Sequence, residues 1–297
     1  MPDPEPAHIP TSNYVIDRAD GVVTDTVTGL VWQEPTPSST YTWEEARCYC
    51  AGLTLAGRED WRLPTRIELI SLIDETIPIP GTGVTPGPNI NDAAFPSTVI
   101  SFGAGQGVAG FGYWTSTPKA GSPSSAWNVH FDFLYGSDGY EDVAVRENVR
   151  CVRAPEGSQV QPSSHWTIQN GTVHDDFTGL TWQQSIPNEG GDDGVGDYTR
   201  DDASSYCAQL TLDGGGWRLP KVKELATLVD VTAAGPAIDS RAFPGTPGQG
   251  SGGAISDSFW TSTPTAGFTT DGLLVDFYDG AIGNDGAQYP YRVRCVR

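Results

Sequence analysis

Apolar positions along the chain switch period several times. From Tyr14 a short strand leads to a turn at Asp20-Gly21, and in TDTVTGLVWQ the residues Leu30 and Trp32 lie two apart, on one face of a strand. From Trp43 the spacing changes: Trp43, Ala46, Cys50 and Leu53 recur three and four apart, the stripe of an amphipathic helix. Thr42, with Glu45 three residues on, supplies its capping box. A second helix is predicted after Pro64, with Thr65 as N-cap, Glu68 completing the box, and Leu69, Leu72 and Ile73 facing inward. Beyond Trp114 strand character returns over 126–133, with a partner stretch over 272–278, then comes a Gly/Asp turn and a closing strand ending in VRCVR. The expected fold class is α+β: two helices on short antiparallel sheets.

The whole pattern is written twice. DWRLPTRIEL (60–69) returns as GWRLPKVKEL (216–225), TGLVWQ as TGLTWQ, YCAGLTL as YCAQLTL, YWTSTP as FWTSTP, and VRCVR as VRCVR, in the same order. A unit of about 140 residues is a usual single-domain size. The expected layout is a loose Pro-rich arm over 1–12, a first copy over 13–154, a Pro/Ser-rich linker over 155–163 and a second copy over 164–297. Copy two keeps the helix glutamate as Glu224 but places Lys221 at the cap, which predicts a weaker helix start. After each second helix runs a long Gly/Pro/Ser-rich stretch, 75–112 and 231–258, in which the copies agree only at Phe95-Pro96 and Phe243-Pro244. Stretches of that length inside a compact domain usually carry function.

Charge removes several partner classes. The formal net charge is -20, shared about evenly by the two copies, so nucleic acid and anionic membrane are not expected partners. No apolar run approaches the about 20 residues that span a bilayer, so no membrane insertion is expected. The opening MPDPEPAHIP lacks the basic and apolar regions of a secretion signal.

Four of the five cysteines occupy equivalent repeat positions, Cys50 with Cys207 and Cys151 with Cys295. One cysteine early and one at the last strand of each unit is the pattern of two intradomain disulfides, Cys50 to Cys151 and Cys207 to Cys295. Each would close a loop of roughly 90 to 100 residues, worth about 4 kcal/mol in the chain-entropy model. That pairing implies an oxidising, extracellular or cell-surface location, reached through a signal outside these residues or by a route that needs none. Buried free thiols are the alternative; zinc is disfavoured because CxxC spacing and companion histidines are absent. Cys48 has Ser205 as its counterpart and should face outward, unpaired.

The order TGL-WQ, a Cys-bearing amphipathic helix, DWRLP-x-x-x-EL, FP, YWTST and RCVR resembles the domain at the C-terminal end of the Legionella collagen-like adhesin, a family formerly described only as a bacterial domain of unknown function. The likeness covers nearly all of both copies. It implies a C-type-lectin-like fold in each, two helices flanking antiparallel sheets, with a long-loop region and a disulfide drawing the ends together. It also implies a secreted or surface-exposed binding protein. Sulfated polysaccharide, the ligand of the named adhesin, does not suit so acidic a chain. The lectin calcium motifs Glu-Pro-Asn, Gln-Pro-Asp and Trp-Asn-Asp are missing, since Trp127-Asn128 is followed by Val129. The fold also hosts a formylglycine-generating oxidase that needs a cysteine pair near its end; here only Cys295 stands there.

Candidate ligand-binding residues sit in the final hairpins, where Tyr, Asp, Asn and Gly concentrate: Trp127, Asn128, Asp132 and Tyr135 in copy one, Asp276, Tyr278, Asp279 and Asn284 in copy two. Such mixtures build adaptable recognition surfaces, and rings with carboxylates also suit sugars. No cofactor is required; calcium is the one ion the sequence could hold, at Asp192, Asp193 and Asp197 in a Gly-rich loop, with Asp279, Asn284 and Asp285 a similar, weaker case, although an acidic solvated loop is the commoner explanation. Catalysis is not expected: Gly-x-Ser-x-Gly and HExxH are absent, and nothing brings Cys48 to His130, His165 or His174. The expected partners are a glycan or a surface protein. The competing expectation is self-association, as a structural subunit of a filament or appendage.

Overall fold

The computed structural model describes residues 9–77, 88–100, 110–131, 138–155, 165–187, 197–248, 257–268 and 270–297. The chain divides into two compact units, Met1–Gln159 and Val160–Arg297. Each is α+β and they follow one plan. In copy one, β1 (Tyr14–Asp17), β2 (Val22–Asp25) and β3 (Val31–Gln33) form a meander that β7 (Val152–Arg153) joins along β3. Helices α1 (Trp43–Ala51) and α2 (Arg66–Ser71) precede a second antiparallel sheet of β4 (Tyr113–Pro118), β5 (Ser125–Val129) and β6 (Asp138–Asp142). Copy two repeats this with β8 (Trp166–Gln169), β9 (Thr172–Asp175) and β10 (Thr181–Gln183), then α3 (Arg200–Gln209), α4 (Val222–Ala226), β11 (Ser258–Pro264), β12 (Asp271–Asp276) and β13 (Ile282–Gly286).

The repeated sequence blocks are the joints of this framework. In TGL, the Asp25 carboxylate accepts from the Val27 amide at 2.9 Å and the Thr28 hydroxyl at 2.7 Å, and Asp175 does the same for Phe177 and Thr178. In WQ, the Gln33 side chain donates to the Tyr49 hydroxyl of α1 and accepts from the Cys151 amide, so it spans the same two segments as the Cys50–Cys151 disulfide. Gln183, Tyr206 and Cys295 repeat this beside Cys207–Cys295. WRLP and WTST hold each other: the Pro64 carbonyl accepts the Ser116 amide and Thr117 caps α2 by accepting the Arg66 amide. Pro220, Ser262, Thr263 and Val222 form the same pair of bonds. Phe95 lies beneath the Arg150 guanidinium at 4.4 Å and Phe243 beneath that of Arg294 at 4.7 Å, which explains the shared Phe-Pro anchor.

Both disulfides have the predicted pairing, and Cys48 is exposed. The capping boxes of α1 and α2 form as predicted. At α4 a lysine side chain has no acceptor, so only the return bond from the Lys221 amide to Glu224 is made, at 2.8 Å. Two expectations are corrected. The loose arm does not extend to residue 12: Ile9 is buried, its amide donates to Asp74 and its carbonyl accepts from Asn91. An apolar side chain closing an otherwise polar arm gains by docking there. The strand expected over 272–278, β12, also stops at Asp276, because the Asp276 carboxylate accepts the Tyr278 amide and its carbonyl accepts that of Gly280, turning the chain. Gly280 takes φ +90° in that turn.

Candidate functional site

The site begins with the hairpin of copy two. β12 pairs antiparallel with β13, Leu274 opposite Gly283 and Val275 opposite Ile282, and the turn between them carries Tyr278 and Asp279. Ser258 at the start of β11 lies opposite Asp276, and its hydroxyl donates to that carboxylate at 2.9 Å. These elements enclose a cavity of about 340 Å³ to which Leu274, Ile282 and Tyr291 contribute apolar surface. Asp276, Tyr278, Asp279 and Asn284, dispersed over nine positions of sequence, all line it. Tyr278 is about half exposed, and Tyr291 is buried with its hydroxyl donating to Asp285 at 2.7 Å. Mixed apolar and polar linings of this size are the usual character of small-ligand sites.

Electrostatics in the cavity favour positive charge. Burial raises the Asp276 carboxyl above its ordinary range, and the neighbouring Asp279 and Asp257 carboxylates push the same way, against the bonds from Tyr278 and Ser258. Burial and the Asp285 carboxylate likewise push the Tyr291 phenol up. Among the described residues no lysine, arginine or histidine lines the cavity. The side-chain oxygen of Asn284 is buried without a hydrogen-bond partner.

In copy one the equivalent place is built differently. Gly112, Asn128, His130 and Glu147 stand where copy two has Ser258, Leu274, Asp276 and Tyr291, as the matching registers show. Asn128 is 1 % exposed, and neither its side-chain oxygen nor its nitrogen has a partner. A Cβ on Gly112 would lie 2.7 Å from that nitrogen, so the glycine makes room for the asparagine. Burial pushes the Glu147 carboxyl up to about 7, against bonds from the backbone amides of residues 110–112.

The remaining sequence candidates are placed as follows. Trp127 is corrected from a surface contact to a core residue: it is 1 % exposed, with the Arg66 guanidinium 4.4 Å and the Lys119 ammonium 5.0 Å from its ring centre. Asn128 is corrected in the same way, because its strand position faces the core where copy two has Leu274. Asp132, Tyr135, Asp192 and Asp193 lie outside the described residues; Asp197 lies within them and is partly buried. Among the described residues no group of three His, Cys, Asp or Glu could hold a metal. Ser258, Leu274, Ile282 and Tyr291 were not identified from sequence, and only alignment of the copies with strand register in hand marks them. A wider recess of about 610 Å³ is lined by Gly57, Arg58, Glu59, Asp60 and Arg153, with no aliphatic or aromatic residue among them.

Among the described residues no helix is long and apolar enough to cross a membrane. A family model described as the Lcl C-terminal domain matches residues 21–153 and again residues 171–297. No curated protein matches the chain.

Proposed function

The chain belongs to the Lcl C-terminal domain family in each of its two copies, and from that premise we propose that it is an extracellular or cell-surface, adhesin-like binding protein on a C-type-lectin-like framework. The family supports an adhesin-like role, and the two disulfides are compatible with an oxidising compartment. The observation that carries the reading is the cavity of copy two, where Asp276, Tyr278, Asp279 and Asn284 surround one space. Its ligand is a glycan or a group on a partner protein, engaged without an obligatory cofactor. Binding rather than turnover is favoured because Cys295 is closed in a disulfide and exposed Cys48 has Glu44 as its side-chain contact.

Arrays of glycans and of extracellular proteins, probed with the full chain and with Asp276→Asn and Tyr278→Ala variants, test this. Binding by the wild type that falls at least tenfold in both variants supports the reading. Binding that both variants retain in full would place recognition elsewhere.

A further inference from the structure

The cavity of copy two also indicates what kind of group it takes. Its charged lining is acidic, the Asp276 and Asp279 carboxylates, beside Asn284, whose side-chain oxygen is buried and unpartnered; the Ser258 and Tyr291 hydroxyls in the lining already donate to Asp276 and Asp285. Its remaining wall is carbon, from Leu274, Ile282 and the Tyr278 ring. An anion meets no basic residue there among the described residues. Calcium asks for six to eight oxygens in a close shell, whereas Asp276 already accepts from Ser258 and Tyr278, and Asp279 from Ala281. An ammonium on a carbon stem satisfies both halves of the lining: charge and N–H donors for the oxygens, methylenes for Leu274 and Ile282, and a face of Tyr278 for the cation.

We infer that the copy-two cavity bounded by Ser258, Leu274, Asp276, Tyr278 and Asn284 binds a protonated primary amine carried on a short carbon framework. This rests on the binding reading above and narrows its ligand class. The amine could be presented by an amino sugar or by a lysine side chain, which share the ammonium and differ in the stem.

Amide chemical shifts of the isotope-labelled full chain, titrated with glucosamine, Nα-acetyl-lysine methylamide, glucose, 1-pentanol and calcium chloride, test the inference. The expected result is saturable shifts at residues 274–284 with at least one amine, and at least tenfold weaker binding of it to Asp276→Asn. Asp279→Asn, at the rim, should weaken the amine as well and serves if the first variant does not fold. The stronger of the two amines identifies the stem. Glucose binding as tightly as glucosamine at these amides would overturn the amine inference and leave the binding reading standing. Calcium producing the same shifts would overturn it in favour of a metal, and no shift with any probe would overturn it while array binding decides the broader reading.

Discussion

Arg62 holds Glu68 by two parallel hydrogen bonds of 2.8 and 2.6 Å, and the same carboxylate accepts the Thr65 amide that opens α2. Arg218 and Glu224 repeat the clasp at 2.7 and 2.6 Å. The arginine and glutamate of WRLP-x-x-x-EL therefore act together, fixing the start of the second helix to the strand-like segment before it. Burial works to raise the Glu68 carboxyl, but Arg62 and Thr65 outweigh it and hold it below its ordinary value. A depressed carboxyl stabilises the fold above the unfolded value of 4.5, and that contribution is lost as pH falls through the folded value.

Replacing Glu68 or Glu224 by Gln should cost about 2 kcal/mol, less than a fully buried pair because each arginine is partly exposed. By calorimetry the melting temperature of the altered copy should fall by roughly 5–10 °C. The Glu68→Gln protein should also lose part of the wild type's destabilisation below about pH 4.

Glu147 predicts the opposite pH trend. Its unfolded value is 4.5 and its folded value about 7, so its contribution is fully present below 4.5 and is lost as pH rises to about 7. Denaturant titrations should show copy one losing up to about 3 kcal/mol across that window. The Glu147→Gln protein should be nearly flat there and more stable than wild type at pH 8.

Gly112 and Asn128 form a coupled pair. Gly112→Ser should destabilise copy one by about 1–3 kcal/mol, because the new Cβ meets the Asn128 nitrogen. Asn128→Leu should recover at least half of that loss, reproducing the Ser258 and Leu274 pair of copy two. A double-mutant cycle on melting temperature measures the coupling, and strict additivity would show the two sites to be independent.

The sequence carried the framework well because its joints are backbone caps and turns, which leave short motifs: Thr42 with Glu45, Thr65 with Glu68, and the cysteine pairs at fixed repeat positions. It was less informative where one side chain's environment is set by distant strands. Trp127 stands in a polar hairpin by sequence, yet Arg66 of α2 and Lys119 cover its ring, while copy two places Val222 and Leu273 there. The Phe95-Pro96 anchor was visible as a repeat, but its cause, the Arg150 guanidinium 4.4 Å from the ring centre, lies 55 positions away. Half of the copy-two cavity was legible because its polar residues share one hairpin. Ser258 and Tyr291 reach it from β11 and the closing segment, and no local pattern marks them.

Loss of either disulfide should affect its own copy. The bonds close sequence separations of 101 and 88 residues, so Cys50→Ser with Cys151→Ser, or Cys207→Ser with Cys295→Ser, should cost about 4 kcal/mol in the altered copy.

Two modules, each closed by its own sulfur bridge, underlie both the repeat and the copy-two cavity. Peptide mapping of the non-reduced protein after alkylation tests this most directly. The predicted map links Cys50 only to Cys151 and Cys207 only to Cys295, with Cys48 alkylated. A peptide joining the two halves, or Cys48 in place of Cys50, would contradict it.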